Sequence, residues 1–116
     1  MPKHVEGCIN IANDVLADLA GYAALESYGI VGMASPSLRD GVAQLLPAQK
    51  LRKGVRVEAG DEGVTLDLFV VVEFGTNIAE VSHNLRNRVT YVLTNTADVK
   101  VASVDVHVQG IKIRTP

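Results

Sequence analysis

Tryptophan is missing from the chain, and aromatic residues make up only 4% of it. Stacking platforms for single-stranded bases are therefore scarce. Basic charge is not in excess either. Eleven Lys and Arg stand against thirteen Asp and Glu, a net charge of −2, with a pI near 5.8. A protein that holds nucleic acid releases counterions from phosphates with a basic patch, so this balance argues against nucleic acid as a partner. Cysteine occurs once, as Cys8, which excludes an internal disulfide. The opening "MPKHVEGCIN" has no apolar core of a signal peptide, and the chain reads as cytoplasmic. No run is long and apolar enough to span a bilayer. The least charged window, "LAGYAALESYGIVGMASPSL", is broken by Glu26, by glycines and by Pro36.

What is present is an ordinary globular balance. Of the 116 residues, 47% are apolar and 21% charged. That length is one domain, residues 1–116, able to bury a core without metals or disulfides. No repeat, linker or low-complexity segment divides it.

Periodicity orders the elements. "GCINI", Gly7 to Ile11, reads as a weak strand, and Asn13 as the N-cap of a first helix running to about Tyr28. Gly29 supplies the left-handed residue that stops it. "IVGMAS" follows as a strand, and Pro36 and Pro47 bracket a helical turn over roughly Leu38 to Leu46. "VRVEAGDEGVTLDLFVVVEFG" reads as a hairpin turned by "AGDEG". Its second strand sets Val64, Leu66, Leu68, Val70, Val72 and Phe74 on one face. Thr65, Asp67, Phe69, Val71 and Glu73 take the other, and its apolar middle marks a central strand. In "TNIAEVSHNLRNRVTYVLTNT", Asn77 caps a second helix, with Glu80 three residues on. Ile78, Val81, Leu85, Val89 and Val92 form its core face. A last strand, "VASVDVHVQGIKI", alternates until Gly110, where a bulge or edge is expected. The expectation is an α/β (α+β) two-layer sandwich, a mixed four- to five-stranded sheet with two main helices on one face.

Candidate chemistry is thin. "GIVG", Gly29 to Gly32, has the spacing of a KH-domain phosphate loop but apolar neighbours, and reads better as a helix stop and a core strand. "GDEG", Gly60 to Gly63, carries two carboxylates that repel phosphate. His4, His83 and His107 lack metal-ligand spacing, and Cys8 reads as a small buried thiol rather than a nucleophile. Asp67 and Glu73, six residues apart on one strand, are too distant for paired acid–base work, and Asp105 and His107 read as solvated edge residues. The expectation is no catalytic residue, no cofactor and no metal. One surface stands out. On the first helix Val15, Leu16, Leu19 and Ala23 are expected to face the sheet. Ala17, Gly21, Ala24, Leu25 and Tyr28 would then lie outward as a protein interface, the small residues admitting another helix closely; the alternative is that the second helix or the Pro36–Pro47 segment covers this face within the chain.

At "SYGIVGMAS", "RKGVRVE", "LDLFVVVEFGTNIAEVSHNLRNRV" and "VDVHVQGI" the chain resembles the alkaline-shock-protein family of bacteria, over about Gly7 to Ile113. Within it, the chain looks most like the short single-domain branch. It departs at "TNTADVKV", where many members carry a Met-Thr-Gly-Leu-like turn. The resemblance implies no catalytic residues. It implies an abundant cytoplasmic or membrane-proximal interaction protein tied to envelope stress, acting through a protein partner or as a homo-oligomer. The branch often neighbours a kinase of the dihydroxyacetone or fatty-acid type, which supplies an alternative: an accessory protein that binds a small ligand or fatty-acyl chain.

Overall fold

The computed structural model describes residues 9–36 and 45–113. Helix α1 (Ile9–Leu25) is followed by strand β1 (Ile30–Met33), a kinked 3₁₀ helix (Ala48–Gly54), β2 (Val55–Gly60), β3 (Gly63–Glu73), α2 (Ile78–Thr96) and β4 (Val101–Lys112). Gly7 and Cys8 of the expected first strand lie outside the described residues. From Ile9 onward that stretch is helix, so neither the strand nor the Asn13 cap holds. The alternation of Ile9 and Ile11 is too short to separate a period of 2 from one of 3.6. An Asn inside a helix costs only a few tenths of a kcal/mol, which the burial of Leu16, Ala17, Ala20, Ala23 and Ala24 outweighs.

β3 is central, as its two apolar faces imply. β4 runs parallel along its whole length, from Val64↔Val101 to Glu73↔Lys112. The opposite edge is shared by two antiparallel strands. β2 takes the first half, Gly60↔Gly63 to Val55↔Leu68, and β1 the second, Met33↔Val70 to Ile30↔Val72. The sheet is thus mixed and four-stranded. β2 and β3 join through a two-residue turn at Asp61 and Glu62. The parallel partner β4 is reached through α2, as a parallel crossover requires. Leu66, Leu68, Val70 and Val72 present one continuous face to the helices, and all four are fully buried. α1 covers the β1 and β2 side and α2 the β4 side.

α2 begins as read. Asn77 Oδ1 accepts the Glu80 N–H at 3.1 Å. Val81, Leu85, Val89 and also Leu93 are buried, whereas Ile78 is exposed and Val92 only half-buried. Leu93 rather than Val92 completes the stripe because a straight helix advances four residues, not three, at this turn. Phe74, expected on the core face of β3, lies one residue past the end of that strand and is exposed. At the "TNTADVKV" departure the helix closes without glycine. Asp98 takes a left-handed φ of 56°, and Val99 N–H donates to Leu93 O at 3.2 Å, a Schellman-type end that Asp tolerates. The bulge expected at Gly110 is present. β4 pairs Val108 with Val70 and Gly110 with Val71, leaving Gln109 out of register.

Asn77→Ala removes the capping acceptor, and the expected cost is about 1 kcal/mol in urea unfolding. A change below a few tenths would mean that the cap contributes nothing to α2.

Candidate functional site

On α1 the buried arc is turned by one residue from the one the sequence suggests, roughly 100° of rotation. It consists of Leu16, Ala17, Ala20, Ala23 and Ala24, while Val15, expected against the sheet, is exposed and Leu19 half-buried. Ala17, Gly21 and Ala24, expected as an outward stripe, therefore lie inside the chain. The small residues do admit a close neighbour, but it is the chain's own 3₁₀ helix: a Cβ on Gly21 would stand 3.1 Å from Leu51 Cβ. Arg52 fastens the same contact from outside. Its Nη2 donates to Asp18 Oδ2 at 2.8 Å and its Nε to Asp18 Oδ1 at 3.2 Å, while Nη1 reaches Asp14 at 3.2 Å. The hydrogen bond to Asp18, then the charges of Asp18 and Asp14, hold the guanidinium above its already high ordinary value, so Arg52 stays charged. Of the five expected interface residues, Leu25 and Tyr28 remain exposed.

These two belong to a larger grouping. Ten large hydrophobic side chains are exposed among the described residues, and six of them sit at one end of the sandwich: Leu25, Tyr28, Phe74, Ile78, Ile111 and Ile113. The topology puts them together. α1 ends and β1 begins where β3 ends, since β1 is antiparallel to β3. α2 begins there because it follows β3, and β4 ends there because it is parallel to β3. Hydrogen bonds link these ends. Glu73 N–H donates to Gly29 O and Phe74 N–H to Lys112 O, both at 2.8 Å. Tyr28, Phe74 and Ile113 are at or next to these bonded positions at the sheet end. Ile111 registers with Val72 and so projects toward the helix layer. Gly75, at φ 93°, turns the chain from Phe74 into α2 with open space around it.

The sheet face away from the helices carries a second cluster, drawn from three strands. His107 on β4 stacks on Phe69 of β3, ring centroids 4.7 Å apart and planes 13° from parallel. The Arg56 guanidinium of β2 lies 5.4 Å from the Phe69 centroid, and His107 Nε2 is 3.0 Å from Asp67 Oδ1. His107 thus meets Asp67 across the sheet, a pairing that no spacing along one strand could announce; Asp105 is not its partner. The rest of this face is closed by the chain leaving β1. Gln109 donates to the carbonyls of Ser35 and Pro36, at 3.2 and 3.1 Å, and Leu45 packs so closely over Gly32 that a Cβ there would stand 2.9 Å away. "GIVG" is thus a helix stop and a strand packed on both faces, and "GDEG" is a hairpin.

His83 is exposed and bonds Asn87 on its own helix. His4, Cys8 and most of the Leu38 to Leu46 turn lie outside the described residues. Among the described residues no group of three His, Cys, Asp or Glu could hold a metal. Open surface depressions include one of about 390 Å³, lined by Thr94, Asp98, Val99, Lys100 and Val101, and one of about 300 Å³, lined by Arg56, Val57, Glu58 and Asp67. No helix is long and apolar enough to cross a membrane among the described residues.

Comparison with known proteins completes the picture. The model of the alkaline-shock-protein family, described as one of "cell envelope-related function", matches residues 1–113. The chain is 40% identical to the uncharacterized protein YloU of Bacillus subtilis (strain 168), over 95% of this chain and 92% of that protein. It is 24% identical to a stress response regulator gls24 homolog of Streptococcus pyogenes serotype M3, over 95% of this chain and 62% of the homolog. Among solved structures a MamM-CTD variant superposes with a TM-score of 0.55 at 11% identity, covering 89% of this chain and 95% of that one. That likeness concerns the fold alone.

Two outcomes are expected from the geometry. Gly21→Arg forces a long charged side chain into the α1–Leu51 contact, and the expected loss is at least about 3 kcal/mol in thermal or urea unfolding. An unchanged melting curve would place Gly21 on a free surface after all. On the outer sheet face, a double-mutant cycle of Phe69→Leu and His107→Ala is expected to give a coupling energy of about 1 kcal/mol. Additive effects would mean that the stacked pair contributes nothing beyond burial.

Proposed function

Because the chain belongs to the alkaline-shock-protein family, whose function is cell envelope-related, we propose that it is a non-enzymatic cytoplasmic interaction module of envelope stress homeostasis, working by contact with protein. The carrying observation is the apolar end. A monomer of this size scatters its exposed hydrophobics singly; a contiguous cluster of them marks an interaction surface. Here six exposed residues from three separate stretches of the chain belong to one end of the sheet. No group of three His, Cys, Asp or Glu that could hold a metal gathers beside them among the described residues. The stress-response name of the gls24 homolog agrees with a role in homeostasis. Aromatic Tyr28 and Phe74 are the residue type that anchors interfaces.

The test is site-specific photocrosslinking in the source cell. A photoreactive residue at Tyr28 or Ile113 is expected to give discrete protein adducts, and one at Arg86, on the exposed back of α2, is not. Adducts from all three positions alike, or from none, would overturn the reading. Lipid copurifying at one equivalent in native mass spectrometry would favour the acyl-binding alternative instead.

A further inference from the structure

We propose that the apolar end is the face through which two copies of this chain pair about a two-fold axis; this rests on the interaction-module reading and names its partner. The six side chains there are between 38% and 74% exposed. At on the order of 100 Å² of exposed surface each, they present roughly 600 Å², close to the roughly 800 Å² that each partner contributes to a stable interface. The charges flanking them are self-complementary. Glu80 stands in the first turn of α2, on the helix side of the patch. Lys112 alternates with Ile111 and Ile113 and so projects to the sheet side. Among the described residues neither side chain takes part in an ion pair, whereas Glu26 is already held by Arg88 at 2.7 Å. A two-fold operation exchanges the sides. It sets Glu80 of each copy toward Lys112 of the other, with Tyr28, Phe74 and Ile113 of both copies buried between them, as an isologous interface requires.

A membrane surface suits the patch less well. An interfacial apolar face gains its hold on anionic lipid from a basic rim, and among the described residues this rim carries Glu73 and Glu80 beside Lys112.

The experiment is sedimentation velocity on the full chain up to about 100 μM, above the Kd expected of an interface of this size. A concentration-dependent dimer is expected. Ile113→Glu and Phe74→Glu are each expected to weaken it at least about tenfold with the melting curve unchanged, since both side chains are exposed. Lys112→Glu and Glu80→Lys are each expected to weaken it several-fold, less at high salt, and the combined charge swap to restore it. A chain that stays monomeric, or a dimer indifferent to both apolar variants, overturns the proposal. So does a charge swap that fails to rescue the single variants, or a monomer that binds phosphatidylglycerol vesicles through this end. Adducts to a different protein from Tyr28, with no self-association, would overturn the pairing while leaving the interaction-module reading in place.

Discussion

β3 has no free side. Its helix-facing residues Leu66, Leu68, Val70 and Val72 are fully buried, β4 occupies one edge, and β1 and β2 divide the other. Every other element takes its position from that strand. β2 and β1 can share an edge only because β2 ends its pairing at Leu68 and β1 starts its own at Val70. The end of β1 thus adjoins the start of β2, and the segment between them includes the 3₁₀ helix, which packs on α1. This is why Gly21 has to be small. Leu51 sits where a larger residue on α1 would stand, and Arg52 locks the crossing with Asp14 and Asp18. These exposed ion pairs add little energy alone; they fix the direction of a contact that apolar burial drives.

The strand and helix pattern from Val55 onward was legible because its periods are long and its punctuation explicit. β3 is eleven residues long, alternating at its start and apolar on both faces in its middle, and Asn77 announces α2. The α1 region misled for the opposite reason. Nearly every position in "VLADLAGYAAL" is apolar or small, so a wheel can be turned by one residue without an evident penalty. Which arc is buried was decided by the 3₁₀ helix, a segment whose place could not be read locally. At Gly21 the small residue does meet a close neighbour, Leu51. Its partner proved to be within the chain.

The two surface groupings were illegible on different grounds. Arg56, Asp67, Phe69 and His107 come from three strands, and their meeting depends on register across the sheet, not on spacing along it. Of the other grouping, Leu25 and Tyr28 read as exposed on the first helix, but nothing in the sequence joins them to Phe74, Ile78, Ile111 and Ile113. Phe74 and Ile78 read as core, and Ile111 and Ile113 lie at a strand end, where alternation carries least information. Only the combination of an antiparallel β1 and a parallel β4 around one strand brings their ends together.

The same topology explains why apolar surface remains at that end and not elsewhere. The outer sheet face could have been the sticky one, since Phe69 and Val71 stand on it, yet both are buried. Arg56 and His107 lie over the Phe69 ring, and the chain leaving β1 is tied down over the rest by Gln109. The long edge of β4 is interrupted by a bulge at Gln109 and another at Ala102 and carries an exposed Asp105, which are the devices that discourage strand addition. Polar cover has thus been placed wherever β-sheet surface would invite an unselective contact. The apolar end presents no strand edge to extend. It is a surface of side chains, so what binds there must match a shape and a flanking charge pattern rather than offer a backbone, and selectivity follows from that difference.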